Sequence, residues 1–86
     1  MIGMLAIAKS GHDKNSIYLI IAEDQEYVYL VDGIYKTIAK PKKKNRKHIQ
    51  IIKKNKYNEM KKLIDDQMIT NEMVKREIKL YCKNNE

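Results

Sequence analysis

The chain has 86 residues, of which 43% are hydrophobic, with six Tyr but neither Trp nor Phe. A chain of this length forms one small core, which excludes a second independently packed domain. The single cysteine, Cys82, excludes an intrachain disulfide and a cysteine cluster for zinc, and the net charge of +7 favours a polyanionic partner.

Short apolar runs, rich in β-branched and tyrosine side chains and bounded by Gly, Asp or Asn, predict five strands in the chain up to residue 54. The predicted strands are Met4–Ala8, Ile17–Ala22, Tyr27–Val31, Ile34–Ile38 and Ile49–Ile52. Asp32 and Gly33 predict a hairpin with a type I′ turn, in which both central residues have positive φ. Five short strands joined by tight turns predict a small closed β-barrel.

Basic side chains concentrate in the middle of the chain. Residues 36–62 carry a net charge of +11, whereas residues 1–35 and 63–86 carry −3 and −1. Pro41 fixes the direction in which the basic stretch starts, and the predicted strand Ile49–Ile52 anchors its far end. We therefore predict a basic loop held at both ends, which pre-organises its charges for phosphate; the alternative is a solvated charge run or a disordered arm.

Side chains of this loop are the first candidates for contact with nucleic acid. The predicted phosphate contacts are Lys42, Lys43, Lys44, Arg46 and Lys47. Asn45, Arg46 and His48 would supply any specificity, through hydrogen bonds to bases, phosphates or a 2′-hydroxyl group.

Four tyrosines lie on the predicted strands, at positions 18, 27, 29 and 35. Such a ring either stacks on an unpaired base or forms half-buried scaffold. Tyr35 is the preferred stacking candidate because it precedes Lys36 and leads into the basic loop.

The hydrophobic pattern becomes helical from residue 55 onwards. Met60, Leu63, Ile64 and Met68 share one face of a first predicted helix, with Asn58 as its N-cap.

A second predicted helix begins at Thr70 or Asn71 and ends near Lys83–Asn84. Its apolar stripe is Met73, Val74, Ile78 and Tyr81. The predicted organisation is thus a barrel with a basic loop at residues 1–54 and a helical extension at residues 55–86.

The spacing of residues offers no catalytic constellation. His12 and His48 lie beside basic or turn residues, and the chain contains no glycine-rich phosphate loop and no motif of metal ligands. We therefore predict a protein that is not an enzyme and has neither a cofactor nor a small-molecule substrate. The N-terminal MIGMLAIAKSG lacks a basic leader, and no stretch approaches the roughly 20 apolar residues that span a bilayer, so a cytoplasmic protein with no membrane partner is expected.

The segment from Gly3 to Leu30, GMLAIAKSGHDKNSIYLIIAEDQEYVYL, is similar to a KOW motif. Its continuation, DGIYKTIAKPKKKNRKHI, resembles the corresponding stretch in KOW-domain RNA-binding proteins of Gram-positive bacteria, which are similar to archaeal and eukaryotic large-subunit ribosomal proteins of the fourteen-e type. The resemblance covers about residues 3–52. It implies a small SH3-like barrel that binds structured RNA, above all ribosomal RNA, through its first turn and its basic loop. Ribosomal proteins are further partners that the resemblance implies.

This sequence departs from the family pattern in the first turn, where the family usually has arginine at His12 and glycine at Asn15. Asparagine tolerates positive φ, so the turn is expected to survive, while a neutral histidine removes one phosphate contact. The complete predicted RNA-binding set is Lys9, His12, Lys14, Lys36, Lys40, Lys42, Lys43, Lys44, Asn45, Arg46, Lys47 and His48.

Two other functions remain open at this point. A protein-interaction module of the translation or transcription machinery would use the apolar faces of the two predicted helices, and it loses its support if those faces cover the barrel. A binder of double-stranded DNA ranks third, because the bases Lys75, Arg76 and Lys79 of the second helix are interspersed with acidic residues.

Overall fold

The computed structural model describes residues 1–52 and 56–84, which form a five-stranded antiparallel sheet followed by two helices. The strands are β1 (Leu5–Ala8), β2 (Ile17–Glu23), β3 (Tyr27–Val31), β4 (Lys42–Asn45) and β5 (Ile49–Ile52), and the helices are α1 (Tyr57–Asp65) and α2 (Asn71–Asn84). The predicted boundary between residues 54 and 55, with Lys53 and Lys54, lies outside the described residues.

The two edge strands of the sheet are consecutive in the chain. The strand order is β4-β3-β2-β1-β5, and a single 3-10 turn, Arg46–His48, joins β4 to β5. The register between β2 and β3 shifts between Ile20 and Ala22, a bulge of the kind that bends a strand and increases its twist. The sheet is thus barrel-like, and the predicted fold class, a small β-barrel followed by a helix pair, is confirmed.

Each face of the sheet carries a buried hydrophobic cluster. The inner face holds one cluster of Ala6, Ala8, Tyr18, Ile20, Val28, Leu30 and Ile49. The opposite face holds a second cluster, in which Leu5, Leu19, Val31 and Ile52 pack with Met60 of α1 and Val74 of α2. Because successive side chains alternate between faces, burial on both sides explains why β1 and β2 read as continuous apolar runs.

Helix α1 approaches the start of the sheet closely at Gly3. A Cβ atom built on Gly3 would lie 2.5 Å from the carbonyl oxygen of Tyr57 and 2.8 Å from the amide nitrogen of Lys61. Only a residue without a side chain allows this approach, and the positive φ of Gly3, +91°, adds to that requirement. Gly3 therefore permits the close packing of α1 against the start of the sheet.

The fourth predicted strand, Ile34–Ile38, is wrong. The Oδ1 atom of Asp32 accepts hydrogen bonds from the backbone N–H groups of residues 34, 35 and 36, at 2.8 to 2.9 Å. These groups are therefore satisfied locally instead of by a neighbouring strand. The predicted type I′ hairpin is also wrong, since Gly33 has a positive φ of +82° but Asp32 does not.

The predicted basic loop is wrong in its central part, because Lys42–Asn45 form strand β4. This strand pairs with β3, with Asn45 opposite Tyr27 and Lys42 opposite Leu30. Three lysines and an asparagine lack the apolar alternation that marks a half-buried strand, so the sequence carries no signal for it.

The predicted termini of the first helix need correction. Asn58 lies inside α1, and the N-cap is Lys56, which makes no side-chain capping bond. Gln67 adopts the left-handed region at φ +59°, and the amide of Met68 then donates to the carbonyl oxygen of Leu63 at 2.8 Å. The helix has ended before Met68, whose side chain is 62% exposed instead of sharing the buried face.

The predicted start of the second helix is confirmed. The side-chain oxygen of Thr70 accepts a hydrogen bond from the backbone N–H of Met73 at 3.2 Å, which caps the first turn. Val74 is fully buried, and Ile78 and Tyr81 pack against the same cluster, whereas Met73 is exposed. The apolar faces of both helices therefore cover the sheet.

Candidate nucleic-acid interface

The turn between β1 and β2, residues 9–16, is called the first turn here. Gly11 and Asn15 have positive φ angles of +88° and +74°. The amide of Asn15 donates to the carbonyl oxygen of Ala8 at 2.8 Å, which closes the turn. The expectation that asparagine accepts positive φ at this position is confirmed.

One carboxylate connects the first turn to β4. Asp13 lies 2.6 Å from the Nζ atom of Lys42 and 2.9 Å from that of Lys44. The hydroxyl of Tyr18 donates to the same carboxylate at 3.1 Å, and Lys44 also donates to the carbonyl oxygen of Ser10 at 3.0 Å. We call Asp13, Tyr18, Lys42 and Lys44 the Asp13 cluster; it ties the first turn to an edge strand.

The Asp13 cluster is largely shielded from solvent. The side chains of Asp13 and Lys44 are only 12% and 10% exposed. Burial by itself raises the pKa of Asp13, but the hydrogen bonds from Lys42, Lys44 and Tyr18 outweigh it and hold this pKa far below its usual value. Burial, followed by the charge of Asp13, raises the pKa of Tyr18 to about 12. The carboxylate is thus charged and the phenol neutral at neutral pH.

Strand geometry explains why only alternate lysines of β4 join this cluster. Lys42 and Lys44 pair with Leu30 and Val28, whose side chains belong to the inner cluster. Lys43 lies between them in sequence and therefore points to the outer face. The same lysine run thus supplies cations to both sides of the sheet.

Two further members of the predicted set, at the start of the 3-10 turn, form hydrogen bonds within the protein. Arg46 donates from Nε to the carbonyl oxygen of Asp24 at 2.8 Å and from its terminal nitrogen to the carboxylate of Glu23 at 2.7 Å. Glu23 also accepts from the N-terminal ammonium group, which, together with Arg46, lowers the pKa of Glu23. The side-chain oxygen of Asn45 accepts from the backbone N–H of Lys47 at 2.9 Å and so caps the turn.

Four lysines of the predicted set, on the first turn, on β4 and in the 3-10 turn, face solvent. We call them the outward lysines: Lys9, Lys14, Lys43 and Lys47. All four are exposed, and in residues 1–52 and 56–84 no carboxylate forms an ion pair with any of them. The Nζ atom of Lys43 lies 4.3 Å from the ring centroid of Tyr27, a cation–π contact that leaves the ammonium group accessible.

The two histidines lie among these lysines. His12 is exposed in the first turn, and His48 is exposed at the end of the 3-10 turn. The amide of Lys9 donates to the carbonyl oxygen of His48 at 2.8 Å, so these two turns are neighbours. The structure therefore brings together the two predicted basic segments, residues 9–14 and 42–48.

The remaining predicted cations, Lys36 and Lys40, belong to the connection between β3 and β4, residues 32–41. Lys40 is exposed, while Lys36 is half-buried and closes its loop by accepting hydrogen bonds at its carbonyl oxygen. The pairing of Leu19 with Val31 shows that this connection leaves the same end of the sheet as the first turn.

The tyrosines divide into scaffold and surface. Tyr18 is buried with its hydroxyl bound to Asp13, and Tyr27 and Tyr29 are half-buried on the outer face of β3. Tyr35 is 85% exposed. Tyr18 is therefore part of the scaffold, and Tyr35 is the most exposed of these four rings.

The acidic partners Asp13 and Glu23 were missed by reasoning from sequence. A signal for them existed: residues 1–35 carry a net charge of −3 beside a segment of +11. The specific pairs depend on which lysines of β4 point inward, and this could not be read from a run predicted to be a loop.

No protein-family model matches this chain, and the search of curated proteins finds no significant match. In the described part of the chain, no group of three or more His, Cys, Asp or Glu side chains is placed to hold a metal ion. Among residues 1–52 and 56–84, no helix combines the length and apolar character that crossing a membrane requires.

Proposed function

We propose that this chain is a non-catalytic cytoplasmic protein of the KOW type that binds ribosomal or other structured RNA through the outward lysines. The observation that carries the proposal is that two basic segments, distant in sequence, lie against each other. Hydrogen bonds from Lys44 to Ser10 and from Lys9 to His48, at 3.0 and 2.8 Å, join these segments.

The outward lysines are suited to contact with phosphate rather than with base edges. A lysine ammonium group is a compact charge on a flexible stem, and it neutralises phosphate without reading sequence. The one arginine of this region, Arg46, is held by Glu23 and Asp24. Recognition would therefore depend on how folded RNA places its phosphates, in agreement with a structured RNA as the partner.

The Asp13 cluster has a supporting role in this proposal. It fixes β4 and the first turn relative to each other, so the outward lysines on both segments keep their spacing when RNA is absent. Pre-organisation of this kind lowers the entropy that binding costs.

RNA binding is tested by fluorescence anisotropy with a labelled fragment of large-subunit ribosomal RNA, titrated at several salt concentrations. The test variant changes both Lys43 and Lys47 to Gln. The matched control changes Lys56 and Lys62, two exposed lysines at α1, to Gln and so removes the same charge from another surface.

The wild type is expected to bind with an affinity that falls steeply as salt rises. The Lys43/Lys47 variant should lower the slope of log affinity against log salt by about 1.4 to 1.8, as expected for two lost phosphate contacts, while the control changes it little. Binding that is absent or insensitive to salt in the wild type contradicts the proposal. Equal losses in the two variants would show that charge alone, and not this surface, is responsible.

The alternative functions receive less support from the fold. The apolar helix faces that motivated a protein-interaction module pack on the sheet, through Met60 and Val74 at their centres. Duplex DNA is addressed in the same titrations, where it should compete poorly with the folded RNA fragment.

A further inference from the structure

A second surface, at the apex of the β3–β4 connection, has an exposed aromatic ring, Tyr35, that follows directly in sequence after Ile34, which lines a groove with cations of α2. Ile34 and Tyr35 form this apex and are 62% and 85% exposed. Contiguous exposed apolar surface rimmed by polar side chains often marks a site of interaction.

The apex is held in a fixed conformation although its side chains are exposed. Asp32 accepts three backbone hydrogen bonds within it, and the amides of Asp32 and Gly33 donate to the carbonyl oxygen of Lys36 at 2.9 and 3.0 Å. An aromatic ring on such a loop loses little conformational freedom when it binds.

The apex is also fastened to the first turn of α2. The side-chain oxygen of Asn71 accepts from the amide of Ile38 at 3.0 Å. A Cβ atom built on Gly33 would clash with the carbonyl oxygen of Asn71, so loop and helix are in close contact. The backbone that carries the exposed ring is therefore fixed relative to α2.

A groove of about 690 Å³ runs between this apex and α2. Ile34 and Ile78 contribute apolar surface to it, and Arg76 and Lys79 contribute cations. Two carboxylates also face the groove, but Glu72 is paired with Lys75 at 2.7 Å and Asp32 is hydrogen-bonded to the loop backbone. In the described residues Arg76 and Lys79 have no ion-pair partner, so the groove presents free positive charge.

We propose that this surface binds an unpaired nucleotide of the RNA, with its base stacked on Tyr35 and its phosphate beside Arg76 and Lys79. The inference rests on the proposed RNA-binding function and extends it. Stacking is available to an aromatic ring with any base, but it requires a base released from its duplex. Because the apex leaves the same end of the sheet as the first turn, one RNA can contact both surfaces.

The test uses two RNA hairpins of identical stem sequence, one carrying a single bulged 2-aminopurine and one fully paired. The wild type is expected to bind the bulged hairpin about tenfold more tightly, and the fluorescence of the 2-aminopurine should change on binding. Tyr35→Ala should abolish both the preference and the fluorescence change, while Tyr35→Phe retains both. Arg76→Gln combined with Lys79→Gln should reduce the preference.

The variants separate this inference from the proposed function. The Lys43/Lys47 variant should weaken binding of both hairpins alike. If the wild type binds both RNAs but Tyr35→Ala keeps its preference for the bulge, the nucleotide site is refuted and RNA binding stands. If the wild type binds neither hairpin, both ideas fail. Circular dichroism and thermal melting check that each variant is folded. The Tyr35 variants are expected to fold because the side chain at this position is exposed.

Discussion

The inner and outer sides of β4 use the same residue type for different purposes. On the inner side, Lys42 and Lys44 meet the largely shielded carboxylate of Asp13 and hold the first turn against the strand. On the outer side, Lys43 is exposed and forms no ion pair within the described residues. A run of identical side chains in a strand is therefore not a uniform charged surface, since alternate members belong to different environments.

Removing the shared carboxylate should have the largest effect on stability. Asp13→Ala leaves two ammonium groups and a phenol without their partner, so the free energy of unfolding is expected to fall by about 3 kcal/mol. Urea unfolding followed by circular dichroism measures the change. Asp66→Ala, at an exposed carboxylate after α1, is the control and should change stability by less than about 0.5 kcal/mol. Similar losses in the two variants would contradict a structural role for the Asp13 cluster.

Adjacent lysines of β4 offer the sharpest contrast between the two sides. Lys44→Met should lower the free energy of unfolding by about 2 kcal/mol, because it removes charge-assisted hydrogen bonds to Asp13 and Ser10. Lys43→Met should cost only about 0.5 kcal/mol, the value of an exposed cation–π contact, but should weaken RNA binding. A larger stability loss at Lys43 than at Lys44 would reverse the assignment of inner and outer faces.

Acid should selectively remove the contribution of Asp13. The pKa of this carboxyl is lowered in the folded protein, so its stabilising effect is present above the unfolded pKa of about 3.9 and is lost as the pH falls towards the lower folded value. The stability difference between the wild type and Asp13→Asn should therefore shrink as the pH falls from about 5 to 2. A difference that stays constant across this range would exclude the ion pairs as its cause.

Alkali should act on the same cluster through Tyr18. In the folded protein the pKa of Tyr18 is raised to about 12, whereas a tyrosine in the unfolded chain has a pKa of about 10. Between these two pH values the phenol is therefore neutral in the folded state and ionised in the unfolded state. The stability gained from neutral Tyr18 is therefore complete below pH 10 and lost as the pH rises towards 12. Ultraviolet titration should show a late phenolate step that Tyr18→Phe removes; persistence of that step would assign it to another residue.

Four of the five strands could be predicted because their apolar runs are buried on one or both faces of the sheet. The strand β4 could not, since its stability comes from backbone pairing with β3 and from Asp13, neither of which leaves an apolar pattern. The predicted strand at residues 34–38 failed for the opposite reason: its side chains suit a strand, but Asp32 satisfies its backbone amides locally.

In the candidate site, too, the sequence predicts which segments are basic but not which side chains are free to bind. The basic segment and the first turn were identified by charge and by resemblance, and the fold places them together. Which cations are free depends on the direction of each side chain, so the engagement of Arg46 with Glu23 could not be foreseen from a residue count. The cations of α2 were set aside because acids accompany them, yet Glu72 is paired with Lys75 and leaves Arg76 without an ion-pair partner among the described residues.

The division between structural and outward lysines is tested most directly by NMR of the lysine ammonium groups, recorded with and without the ribosomal RNA fragment. The side-chain signals of Lys43 and Lys47 are expected to shift on addition of RNA, while those of Lys42 and Lys44 keep their positions because Asp13 remains bound to them. A shift at Lys44 as large as that at Lys43 would show that phosphate displaces Asp13, and it would contradict the separation of the two roles.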